Sequence, residues 1–113
     1  MFDSDNMQTL ADKSVKTFNP DTQDLILIEE MSEITKALLK RRRVISTRGA
    51  IGAIDETFSD KLETATDNIV EELTHVLVSC EAVRQTLGID ADNINEKVAE
   101  KLYKYRNIFA ITD

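Results

Sequence analysis

The sequence predicts an all-α fold: a helical bundle of three main helices plus one or two short ones. Three observations predict it. Glycine and proline are scarce, at three and one in 113 residues, so little interrupts a helix. Apolar residues recur at three- and four-residue spacing, and no segment alternates with period two. Caps and stops stand at the ends of those segments. Three short helices leave apolar surface to cover, so the bundle is expected to be completed by self-association.

The elements follow in order. Residues 1–18 hold a possible short helix with Met7, Leu10, Ala11, Val15 and Phe18 on its apolar side. The next helix is expected at about 20–42. Asn19 can cap it, Pro20 suits its first position, and Asp21 and Asp24 sit near the positive end of its dipole. Its inward stripe reads Leu25, Ile28, Met31 or Ser32, Thr35, Leu38 and Leu39, and the basic run Lys40–Arg43 marks its end. Residues 43–66 contain Gly49, Gly52 and many Ser, Thr and Asp, and read as a long connection or lid over a site. A third helix is expected at about 66–87, capped by Thr66 or Asp67 and stopped by Gly88. The last starts after Asp90, with Ile89 and Ile94 as a hydrophobic staple. Its stripe is Ile94, Val98, Leu102, Tyr105 and Ile108 or Phe109. The whole, 1–113, reads as one domain with its core at about 20–108.

Composition narrows the function classes. The net charge of −7 argues against binding a nucleic acid polymer through its phosphates. It leaves room for a small phosphorylated ligand bridged by a metal ion. No apolar run approaches the roughly 20 residues that span a bilayer, so no membrane partner is expected. The acidic start lacks an apolar signal core, and the single cysteine, Cys80, allows no internal disulfide. Together these point to the cytoplasm, with Cys80 as a buried, inert thiol.

Two strings carry chemistry. The first is Glu29-Glu30-Met31-Ser32-Glu33, the second Glu71-Glu72-Leu73-Thr74-His75. Residues three apart share a helix face, so Glu30 projects with Glu33 and Glu72 with His75. If the two helices pack antiparallel, three carboxylates and an imidazole converge, and a divalent cation would relieve their repulsion. The same residues also fit a solvated acidic face with a hydrogen-bonded histidine. Residue chemistry alone leaves both readings open.

At these residues the chain resembles the all-α nucleoside triphosphate pyrophosphohydrolases, the MazG-like superfamily. Their pattern is Glu-Glu-x-x-Glu on one helix and Glu-x-x-Asp on a later one. Glu29, Glu30 and Glu33 match the first part, within LILIEEMSEITKALLK, and EELTHVL resembles the second. The ending KLYKYRN resembles the family's basic third helix, and the likeness covers about residues 20–108. It implies hydrolysis of a nucleoside triphosphate to a monophosphate and pyrophosphate with Mg²⁺ or Mn²⁺, and possible house-cleaning of nucleotides. It implies that Glu30, Glu33 and Glu72 ligate metal, with His75 a fourth candidate, and that Glu29 or Glu71 orients water. Lys101, Lys104 and Arg106 would contact phosphate, and the assembly would be a dimer or tetramer. His75 stands where the family has Asp, and Tyr105 where it often has Asn. Two alternatives remain beside this one. One is a non-catalytic nucleotide-binding or oligomeric helical protein. The other is a homodimeric di-metal carboxylate protein using Glu72-x-x-His75.

Overall fold

The computed structural model describes residues 4–51 and 56–109. Among these the chain is all-α, with four helices and no strand. They are α1 (Ser4–Thr17), α2 (Gln23–Ile51), α3 (Glu56–Thr86) and α4 (Ala91–Phe109), with a single 3₁₀ turn, Pro20–Thr22, before α2. Asn19 caps that turn: its side-chain oxygen accepts from the Asp21 amide at 3.0 Å and its carbonyl from the Thr22 amide at 3.0 Å.

The stretch 43–66 departs from the expected connection or lid. α2 runs on to Ile51 and α3 begins at Glu56, so both helices are longer than the sequence suggested. Gly49 lies inside α2; one glycine costs a helix only about 1 kcal/mol, which tertiary pairing can offset. Thr66 and Asp67, expected as caps, are mid-helix in α3. Gly52 lies outside the described residues.

α2 and α3 form an antiparallel hairpin. Going from Glu30 to Arg41 along α2 moves the cross-helix partner from His75 back to Thr66 on α3. The facing residues follow a four-three rhythm. On α2 they are Gln23, Leu27, Glu30, Ile34, Ala37, Arg41 and Val44. On α3 they are Leu62, Ala65, Ile69, Glu72, Val76 and Ser79. All are buried or half-buried, as a coiled-coil seam requires. Small residues, Ala37 and Ala65, let the helices approach closely.

The stripe expected to face inward on α2 lies on its other side. Leu25, Ile28, Met31, Leu38 and Leu39 are each half or more exposed. Only one of the two apolar faces of α2 meets α3. α1 packs on α3 and turns Met7, Ala11 and Val15 inward, while Leu10 and Phe18 stay exposed. Gln23 ties α1 to α2. It is 1% exposed, and its Nε2 donates to the Ser14 carbonyl at 3.3 Å.

α4 behaves differently from the rest. Among the described residues it packs extensively on none of the other helices, and every residue from Ala91 to Arg106 is exposed. Side chains beyond Arg106, including Ile108 and Phe109, lie outside the described residues. Gly88, with φ of 66°, makes the turn between α3 and α4. The Ile89 amide donates to the Arg84 carbonyl and the Gly88 amide to the Gln85 carbonyl, closing a Schellman motif. The Arg84 guanidinium holds Glu81 with one edge and donates from Nη1 to the Ile89 carbonyl at 2.7 Å with the other. Asp90 then caps α4, accepting from the Asp92 amide at 3.0 Å. α4 therefore leaves the hairpin in a defined direction.

Candidate metal centre

Glu30 and Glu72 occupy seam positions where an apolar residue would pack without desolvation cost. α2 brings Glu30 there in register with Leu27 and Ile34; α3 brings Glu72 there in register with Ile69 and Val76. His75 follows Glu72 by one turn, at the edge of the seam. Its Nδ1 lies 3.4 Å from Glu30 Oε2 and 3.7 Å from Glu72 Oε2. The Glu30 and Glu72 side chains are 25% and 19% exposed, against 48% for His75. Two half-buried carboxylates thus share one imidazole. One ligand atom from each of the three lies within 4.8 Å of the others.

This donor set fits a divalent cation chemically. Carboxylate oxygens suit Mg²⁺ and Mn²⁺, and an imidazole nitrogen favours Mn²⁺ and later transition metals over Mg²⁺. Three protein donors, with the histidine side open to solvent, leave coordination positions for water or phosphate.

The remaining sequence candidates fall around this group rather than in it. Glu33 lies one turn beyond Glu30 but leaves the seam; it is exposed and accepts from Lys36 Nζ at 3.3 Å. The seam advances from Glu30 to Ile34, not to Glu33, which explains the difference. Glu29 and Glu71 are exposed neighbours, rotated about 100° from Glu30 and Glu72. Lys101, Lys104 and Arg106 are exposed on α4, which packs extensively on neither α2 nor α3 among the described residues, so the single chain does not seat them over the group. Cys80, expected to be buried, is exposed, although partial burial among apolar neighbours pushes its thiol above the usual value.

Sequence reading missed the Glu81–Arg84 pair. Its spacing of three on a helix was the available signal. Arg84 holds the Glu81 carboxyl below the usual carboxylate range, chiefly through their hydrogen bonds. No helix among the described residues is long and apolar enough to cross a membrane. No protein-family model, curated protein or solved structure matches this chain.

Proposed function

We propose that this chain is a metal-dependent nucleoside triphosphate pyrophosphohydrolase, converting an NTP or dNTP and water to a monophosphate and pyrophosphate. The observation that carries the reading is the pair of seam carboxylates meeting His75: a costly arrangement in a helical interface, and one that a cation would stabilise. The order Glu-Glu-x-x-Glu, then Glu-x-x-His where the family has Glu-x-x-Asp, supports the substrate class by resemblance only.

In this reading Glu30, Glu72 and His75 hold a Mg²⁺ or Mn²⁺ ion, and Glu33 joins them by turning away from Lys36. Such an ion, when bound, would neutralise phosphate charge and lower the pKa of a coordinated water. Glu29 or Glu71 accepts the water's proton. The water oxygen bonds to phosphorus, and the bridge between the α and β phosphates breaks. Its electron pair leaves with the departing phosphate oxygen. Lys101, Lys104 and Arg106 neutralise the phosphates if another copy delivers them, in the dimer or tetramer expected for such an enzyme.

Pyrophosphate release from a panel of NTPs and dNTPs, with Mg²⁺ and with Mn²⁺, tests this. The expected result is turnover lost in Glu72→Gln by a factor of 100 or more, on the order of 3 kcal/mol. No turnover of any nucleotide by the wild type with either metal would overturn it.

The same geometry favours one second reading. Di-metal carboxylate bundles use a Glu from each of two helices and a Glu-x-x-His from each of two others. One copy supplies Glu30 together with Glu72-x-x-His75, so two copies hold the full set of residue types. Iron retained through purification, with an oxidation-dependent absorption band, would select it; purified protein without iron would count against it.

A further inference from the structure

Among the described residues, the buried apolar side chains are Ala11, Ala37, Ala65 and Ala82, and the largest fully buried side chain is Gln23. The larger apolar residues are left partly or mostly exposed. The chain is correspondingly open. Its radius of gyration is 18.3 Å, against roughly 13 Å for a compact chain of this length. Its accessible surface is 8827 Å², which exceeds that of a compact monomer of this mass by about 2,500 Å². Obligate dimers bury about 2,000–5,000 Å² in total, half from each copy. The excess on one chain is therefore of the size that a second copy would cover.

Two features say where. α4 carries Ile94, Val98 and Leu102 on one face, with exposures of 44%, 60% and 50%. Lys97, Lys101 and Lys104 run along one flank of that stripe, with Glu100 among them, 3.3 Å from Lys97 Nζ. Between α1 and α3 lies an apolar groove of about 300 Å³, lined by Met7, Leu10, Val70, Leu73, Leu77 and Val78. Asp67 stands one turn before Val70, and Glu71 one turn before Thr74, which also lines the groove. Both acids are exposed and have no ion pair among the described residues. The groove is thus apolar in its floor and acidic along its α3 rim; the arm is apolar in its centre and carries three lysines to one glutamate along one flank. The uncovered face of α2 is a poorer seat, because its Leu38 and Leu39 lie beside Lys40, Arg42 and Arg43.

We infer that α4 is an exchanged arm: it seats in the α1–α3 groove of a second copy of this chain, with Lys97, Lys101 and Lys104 against the partner's acidic rim at Asp67 and Glu71. This brings the lysines to the Asp67–Glu71 flank of the partner's α3, about 100° around the helix from Glu72. The inference stands without the hydrolase reading, since it rests on surface, charge and the free arm.

Light scattering with size exclusion, and a zero-length carbodiimide crosslinker, test it together. Wild-type protein should run at a multiple of 12.8 kDa. Val98→Glu with Leu102→Glu should run as a single chain with unchanged helicity by circular dichroism, because among the described residues α4 packs extensively on no other helix. In wild type mixed from ¹⁴N- and ¹⁵N-labelled chains, the crosslinker should join Lys97, Lys101 or Lys104 to Asp67 or Glu71 in mixed-isotope peptides. A wild-type monomer, or an assembly that survives the double substitution, would overturn the proposal. So would an assembly whose mixed-isotope crosslinks all lie elsewhere. Absence of nucleotide turnover would leave it intact.

Discussion

The hairpin of α2 and α3 and the arm α4 are built from similar material and end in opposite conditions. Both carry apolar residues at helical spacing, and both have charged flanks. The hairpin satisfies one face of each helix against the other, in a seam kept narrow by Ala37 and Ala65. The arm satisfies none, although its stripe is as regular. The difference is topological. α3 runs back along α2, whereas the Gly88 turn and the Arg84 latch send α4 away from both. Amphipathic spacing indicates that a helix will bury a face; the turn before it decides whether its own chain does the burying.

Experiments can break or sharpen this contrast, the largest effect first. If Glu30, Glu72 and His75 hold a metal, Mn²⁺ at a hundred times its dissociation constant should stabilise wild type by about 2.7 kcal/mol. Glu72→Leu should abolish that shift, while leaving the metal-free protein as stable as wild type or more so, because a half-buried carboxylate is gone from the seam. Thermal unfolding with and without metal reads both. A metal-induced shift that persists in Glu72→Leu would remove the seam from the metal account.

Next, Ala65→Leu should destabilise the hairpin by about 1–3 kcal/mol through overpacking. Ala99→Leu on the arm should stay within about 0.5 kcal/mol, as an exposed substitution does. Urea unfolding of the two variants compares seam and arm directly, and equal costs would refute the distinction. A smaller effect is expected for Gln23→Ala, which removes the buried tie to Ser14 and should cost about 1–2 kcal/mol. Hydrogen exchange should then rise in α1 before it rises in the hairpin.

The smallest effect concerns pH. Arg84 depresses the Glu81 carboxyl in the folded state. The pair's stabilisation is therefore present above the ordinary carboxylate value of 4.5 and fades as pH falls through the lower folded value. Glu81→Gln should lower the melting temperature slightly at pH 7 and leave it unchanged at the acid end. A difference that grows as pH falls would reverse the sign and refute the assignment.

Much of this was legible beforehand, for identifiable reasons. The all-α class, the Gly88 stop and the Asp90 cap are local signals, and each appears where the sequence puts it. The convergence of Glu30, Glu72 and His75 followed from spacing plus an antiparallel pairing. The inward face of α2 did not, because its residues repeat on two faces. Leu25, Ile28 and Leu39 form as convincing a stripe as Leu27, Ile34 and Val44, and only the partner's position chooses between them. Glu33 leaves the seam for the same reason, as the seam steps four residues from Glu30 rather than three. The stretch 43–66 was misread because glycine and serine weaken a helix locally, while the long-range pairing that sustains it leaves no local trace.

The Gly88 turn has one further consequence. A chain that lends an arm to a neighbour can form a closed pair, in which each returns the loan. It can also form an open series, in which each passes its arm to the next. The angle at which the arm departs selects between them. Arg84 braces that angle by gripping Glu81 and the Ile89 carbonyl at once. If the arm is exchanged as inferred, one guanidinium group bears on whether the assembly closes or grows.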